Sequence, residues 1–166
     1  MKAKKSLIAV IGNGGSGKST IIQSLTGCKS ASFQGRMEDG KTGEWIEVIA
    51  HSPQETGLSK AELERTMKAV ARDRRCLGIV IALQPTRPYT RLWIEDVLKM
   101  STIYLISSHC FVIVTPYDET RADGVELSKV KTRCSGVPIH AIDARRFAYL
   151  NAQRIRRAVG WFGRSV

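Results

Sequence analysis

The sequence lacks a run of apolar residues long enough to cross a membrane. Its longest, LGIVIAL at 77–83, is far short of the roughly 18 residues a spanning helix needs. No secretory leader is expected: the basic MKAKK is followed by SLIAVI, too short for a signal core, which runs straight into a glycine-rich loop. Cysteine is sparse, at 28, 76, 110 and 134, with no CxxC pair and no histidine at zinc spacing. That pattern excludes a disulfide scaffold or a zinc module and points to reduced thiols and the cytoplasm. Acidic residues are few, 15 against 26 Lys and Arg, for a formal charge of +11. Such a balance fits solubility or an anionic partner.

What remains is ordinary for a soluble domain: 43% hydrophobic, 25% charged and 166 residues, enough to bury one core. We read the chain as a single domain, residues 1–166, with no internal repeat and no linker. Apolar runs alternate with helical patterns, the signature of an α/β fold with a mostly parallel sheet. SLIAVI (6–11) is the first predicted strand, and a helix follows as far as Leu25, ended by Gly27. Two strands come next, ASFQGRMEDGK and GEWIEVIAH, with Asp39-Gly40 as the hairpin signal. SKAELERTMKAVARDRR reads as an amphipathic helix capped by Ser59 with Glu62 three residues on. CLGIVIAL (76–83), CFVIVT (110–115) and VPIHAID (137–143) are the later strands. Helices are predicted in RLWIEDVLKMSTIYLI, ADGVELSKVKTRC and FAYLNAQRIRRAVGWF, which makes six strands and five helices in a three-layer sandwich. In such a sheet a ligand sits at the carboxyl ends of the strands.

The segment between the first strand and first helix, Gly12-Asn13-Gly14-Gly15-Ser16-Gly17-Lys18-Ser19, satisfies GxxxxGK[ST]. Its glycines let backbone N–H groups turn inward around a phosphate. Lys18 brings a positive charge to the β and γ phosphates, and Ser19 Oγ is a magnesium ligand. The helix that starts there, with Thr20 in its first turn, aims its positive end at the same anion. The motif predicts that Gly12 through Thr20 grip a nucleoside triphosphate.

With the loop placed, the order of elements resembles a small GTPase-like G domain, a P-loop NTPase. It is similar in particular to the short P-loop proteins of ethanolamine and propanediol utilisation operons. The topology agrees over nearly the whole chain, and the phosphate loop alone matches strongly as sequence. The resemblance implies GTP with magnesium. It also exposes departures. Where those proteins end the third strand in DTPGE, this chain has His51-Ser52-Pro53-Gln54-Glu55. His51 replaces the aspartate that holds magnesium through water, and imidazole is a poor partner for an ion that prefers oxygen. Gln54 replaces the glycine that meets the γ-phosphate. Glu55 stands where many G domains place a water-orienting glutamine. It is the catalytic candidate beside Lys18, or else a solvated acid opening a switch loop. Of the guanine-reading NKxD motif, Thr115-Pro116-Tyr117-Asp118 keeps only Asp118. A carboxylate there accepts from guanine N1 and N2, or caps the next helix. Ala144, after the last strand, fits the loop that backs the base, and Arg145 stacks there, meets a phosphate or is solvated.

These departures lead to slow or vestigial GTP hydrolysis, or to a pseudo-GTPase that serves as an assembly module docking a protein through its switch loops. An ATP-binding ATPase or kinase is the third reading, and Arg72, Arg74 and Arg75, closing a helix, are its weak lid. Ser30, Ser32 and Thr42 are the candidate γ-phosphate sensors. Arg87 and Arg91, in a loop stiffened by prolines, could reach a phosphate or dock a partner. The stretch 144–166 holds arginines at 145, 146, 154, 156, 157 and 164 and no acid, and offers a surface for an anionic partner. Phe147, Leu150, Ile155, Val159 and Phe162 are expected to pack that helix on the sheet. Trp93, Trp161, His109 and His140 read as structural.

Overall fold

The computed structural model describes residues 4–85 and 92–161. Its six strands are β1 (Ser6–Ile11), β2 (Gln34–Glu38), β3 (Trp45–Ile49), β4 (Cys76–Leu83), β5 (Ser107–Thr115) and β6 (Ile139–Asp143). They form one sheet in the order β2-β3-β4-β1-β5-β6. β2 runs antiparallel to β3, and every other pairing is parallel. Six helices are described: α1 (Lys18–Thr26), α2 (Pro53–Thr56), α3 (Lys60–Arg72), α4 (Ile94–Ile103), α5 (Leu127–Arg133) and α6 (Ala148–Ala158). The chain is thus a three-layer α/β sandwich, as its alternating pattern predicts.

Strands buried on both faces read as unbroken apolar runs. SLIAVI and CLGIVIAL are such runs, and every residue of β1 and β4 is buried. Leu63, Met67, Val97 and Val130 bring α3, α4 and α5 onto one face. Ile21, Ile22, Leu25 and Ile155 bring α1 and α6 onto the other. Gly78 has φ +152° and lies so close to β1 that a Cβ would meet the Ser6 carbonyl oxygen at 2.0 Å. Only glycine lets β4 approach the phosphate-loop strand there.

The structure moves several predicted features. The link between β2 and β3 is longer than a two-residue hairpin. Asp39 accepts from Lys41 N and Gly43 N, and the left-handed residue is Gly43 (φ 67°), not Gly40. Ser59 and Glu62 form the expected capping box, but α3 stops at Arg72. Asp73 ends it because its carboxylate turns to Trp45 Nε1 and Arg75 N, so Arg74 and Arg75 lie outside the helix. The sixth helix is α2, a single turn in the segment read as a loop. On α6, Ile155 and Val159 pack as expected, but Phe147 (72% exposed) and Leu150 (41%) face outward. Asn151 and Ala152 take their place, because the Asn151 amide donates to the Asp143 carbonyl (3.0 Å). Phe162, Arg87, Arg91 and Arg164 lie outside the described residues.

No helix among the described residues is long and apolar enough to cross a membrane. The four cysteines are free and buried. His140 stacks on Phe111 (4.9 Å between centroids), and Trp161 is buried, in keeping with structural roles. Trp93 is 41% exposed, with the Arg133 guanidinium over its ring.

Candidate functional site

The phosphate loop hangs between the two most buried strands. Gly12 N donates to the Leu83 carbonyl (3.0 Å), which ties the loop's start to the end of β4. Ser16 N donates to the Asn13 carbonyl (3.1 Å), closing a turn, and Gly17 enters α1 with φ 106°. No side chain caps α1, so its first N–H groups lack a side-chain partner. The Asn13 amide points away and donates to the Asp123 carbonyl (2.9 Å).

Lys18 is only 5% exposed, and its Nζ donates to the Asn13 carbonyl (2.8 Å). Burial pushes its ammonium below the ordinary value of 10.5, and the Glu55 carboxylate partly opposes that shift. Ser16 Oγ is buried with no hydrogen-bond partner among the described residues, and so is Gln84 Nε2 beside Gly14. Ser19 Oγ donates to the Ala50 carbonyl (3.1 Å), and Thr20 is exposed.

Above the loop lies a cleft of about 730 Å³, lined by residues 15–21. Strand order decides what flanks it. The segment after β3, through α2, supplies His51 and Glu55 on one side, and the ends of β5 and β6 supply Tyr117, Ala144, Arg145, Arg146 and Phe147 on the other. Glu55 Oε2 accepts from Ser52 Oγ (2.7 Å) and lies 3.1 Å from His51 Nε2. Its other oxygen would be 3.3 Å from a Cβ at Gly14, so the carboxylate stands beside the phosphate loop.

Gln54 does not face the cleft. It is 5% exposed, its amide donates to the Leu92 carbonyl (3.0 Å), and its Oε1 accepts from Gln84 N (3.3 Å). Gln54 is a buried strut between α2, the end of β4 and the start of α4.

On the opposite side, Tyr117 N donates to the Ser16 carbonyl (3.1 Å), and Ala144 N donates to the Thr115 carbonyl (2.8 Å). The Ala144 and Tyr117 methyl and methylene carbons would each lie 3.4 Å from a Cβ at Gly17. Asp118 is not among the residues lining the cleft. Its Oδ1 accepts from Thr120 Oγ1 (2.6 Å) and Thr120 N (2.9 Å), while Oδ2 is 3.4 Å from Arg121. Those hydrogen bonds, and then the Arg121 charge, hold its carboxyl below the usual range. Asp118 thus shapes the turn after β5. Arg145 forks onto the Asp143 carboxylate (3.1 and 3.0 Å), so its guanidinium is committed to the chain itself.

Ser30 and Ser32 place their hydroxyls 3.5 Å apart at an exposed site, and Thr42 Oγ1 accepts from Glu44 N. None of the three lines the cleft. The basic face of α6 is partly used within the fold: Arg154 donates to the Ala141 carbonyl and Arg156 to the Leu25 carbonyl. Tyr117, Arg146 and Phe147 were missed as lining residues. Each adjoins a residue singled out from sequence, and position just after a strand was the signal available.

Among the described residues no cluster of three or more His, Cys, Asp or Glu could hold a metal.

A scan against protein-family models finds no match, and a search of curated proteins finds none either. Among solved structures, APE1195 is similar over 98% of this chain and 98% of its own, with 16% identity and a TM-score of 0.50. The FeoB G-domain from Methanococcus jannaschii is similar over 95% of this chain and 97% of its own, with 17% identity and a TM-score of 0.47. At 16% identity the likeness to APE1195 speaks to the fold alone.

Proposed function

We propose that this chain binds a nucleoside triphosphate with magnesium, GTP in preference to ATP, through Gly12 to Thr20, and hydrolyses it slowly or not at all. The observation that carries the proposal is the buried Lys18 ammonium set beside an unpartnered Ser16 hydroxyl on the floor of an open cleft. A buried ammonium without a carboxylate in contact is costly. An anion of several charges held against the loop offsets that cost, and the N–H groups opening α1 favour the same ligand.

In this reading Lys18 leaves the Asn13 carbonyl for phosphate oxygens, and Ser19 turns from the Ala50 carbonyl toward the metal. Magnesium, when bound, supplies neutralisation of phosphate charge. Tyr117 and Phe147 border the end of the cleft nearer the base, and Ala144 backs it. Asp118 meets guanine only by giving up Thr120 or Arg121, which makes base discrimination modest.

Hydrolysis is slow because of what Glu55 does. One of its oxygens is engaged by Ser52 and His51, and its negative charge opposes that of a γ-phosphate. Gln54, locked inward, supplies no phosphate contact. The inward strut also favours a second reading, a nucleotide-binding assembly module that does not turn over. A protein partner would then read the α2 segment, and an anionic one the arginines of α6.

The test is calorimetry with non-hydrolysable GTP and ATP analogues and magnesium, with Lys18→Ala as control. We expect GTP to bind at least about tenfold tighter than ATP, with binding lost in the variant. Equal affinities would refute guanine preference and favour an ATPase or kinase. Binding to neither would refute the nucleotide reading. Where GTP binds, phosphate release over hours separates the slow hydrolase from the module.

A further inference from the structure

At the end of the sheet away from the phosphate loop, a second cavity of about 330 Å³ opens between the C-termini of α3 and α6. Four cations line it: Lys4 and Lys5 ahead of β1, Arg72 at the end of α3, and Arg74 just beyond. Glu44 is the one carboxylate among its described lining residues. Lys5 Nζ turns to the Val70 and Asp73 carbonyls and so serves the end of α3. The side chains of Lys4, Arg72 and Arg74 make no hydrogen bond or ion pair among the described residues. The nearest acid in sequence, Asp73, gives its oxygens to Trp45 Nε1 and Arg75 N and is not available to them. The floor is apolar, with Leu77 and Trp161, both buried. Lys5 precedes β1 and Gly12 follows it, so six strand residues, roughly 20 Å at the usual rise, separate this cavity from the nucleotide cleft.

Cations that serve only solubility spread over a surface and point apart. Here three unpaired ones surround one concavity with an apolar base. A ligand with several negative oxygens accepts from the two guanidinium groups and the ammonium that line one cavity. We propose that this cavity is a second, separate anion site that takes a phosphate-bearing ligand, held by Lys4, Arg72 and Arg74 over Leu77 and Trp161. The ligand class is an organic or inorganic phosphate with at least two negative charges, free or as the headgroup of an anionic lipid. The site does not depend on the nucleotide reading, and its residues belong to none of the phosphate-loop machinery.

The test uses the full chain carrying Lys18→Ala, so that the phosphate loop is silenced. Inorganic pyrophosphate is titrated by calorimetry. Sedimentation is measured with phosphatidylcholine vesicles, with and without phosphatidylinositol 4-phosphate, whose headgroup carries a phosphomonoester. The comparison is Arg72→Gln/Arg74→Gln against Arg65→Gln/Lys68→Gln, which removes the same charge from α3 away from the cavity. The expected result is saturable binding of at least one probe, weakened about tenfold or more by the first pair and less than about threefold by the second. Loss of pyrophosphate binding identifies a free phosphate as the ligand, and loss of anionic-vesicle binding identifies a lipid headgroup. Equal weakening by both pairs, or no binding of either probe, overturns the proposal. Should the first pair lower the thermal midpoint, Lys4→Gln/Arg74→Gln, both outside helices, is read in its place.

Discussion

Replacing Gln54 with methionine isolates what the altered switch segment does. Methionine keeps nearly the same volume and length, so no cavity opens. It removes the donor to Leu92 O and the acceptor for Gln84 N, at 3.0 and 3.3 Å. Gln84 and Leu92 are 4% and 1% exposed, so water does not readily replace either bond. A buried group left unpaired costs about 1–3 kcal/mol, and two of them cost about 2–6 kcal/mol. The 3.3 Å bond is long, which places the expected loss at about 2–4 kcal/mol. For a chain of this size that is a fall of roughly 5–15 °C in the thermal midpoint. The assay is urea unfolding followed by circular dichroism, beside Gln34→Met on the exposed edge strand, where a change within about 0.5 kcal/mol is expected. A Gln54→Met loss no larger than that of Gln34→Met would refute the reasoning, for Gln54 would then hold nothing together.

Two further outcomes follow from the same structure. Lys18→Met should stabilise the nucleotide-free chain at neutral pH while abolishing nucleotide binding. Burial lowers the Lys18 pKa, so the charged form is penalised below the folded value, and the penalty fades as pH rises toward the ordinary 10.5. The gain in urea stability should therefore shrink as pH rises through that window, and a gain that grows would contradict the burial argument. Arg133 forks onto Glu95 (2.5 and 3.0 Å) and donates to the Pro85 carbonyl (2.8 Å), which joins α5 to α4 and the end of β4. Arg133→Ala should cost about 1–3 kcal/mol in thermal or urea unfolding, and Arg133→Lys should recover less than half, since an ammonium cannot repeat the fork.

The phosphate loop and the sheet were legible in the sequence for a local reason. GxxxxGK[ST] lies within one turn of chain, and doubly buried strands leave unbroken apolar runs. The rest depended on partners far along the chain. Nothing near Gln54 announces that Leu92 and Gln84 will meet it, so a residue aligned with a phosphate contact turned inward unseen. Asp118 occupies the position that sequence assigns it, but Thr120, two residues on, takes its carboxylate for a turn. On α6 the apolar count favoured Phe147 and Leu150, while the fold chose Asn151, whose amide meets the chain end of β6. Arg145 lines the cleft while its guanidinium forks onto Asp143, a local pairing that its sequence position does not reveal.

β1 lies inside the sheet, flanked by β4 and β5, while β2 and β6 form its borders. Local opening begins where pairing is one-sided and exposure is high, and reaches a central strand only with global unfolding. Shedding β2, whose residues alternate outward, would leave β1 paired on both sides. The amides of Leu7 to Ile11 should then be among the slowest in the chain to exchange with deuterated water. The segments that flank the cleft after β3 and after β5 sit on strands closer to the borders. The molecule thereby separates an enduring anchor from yielding walls, and loosening of one need not release the other.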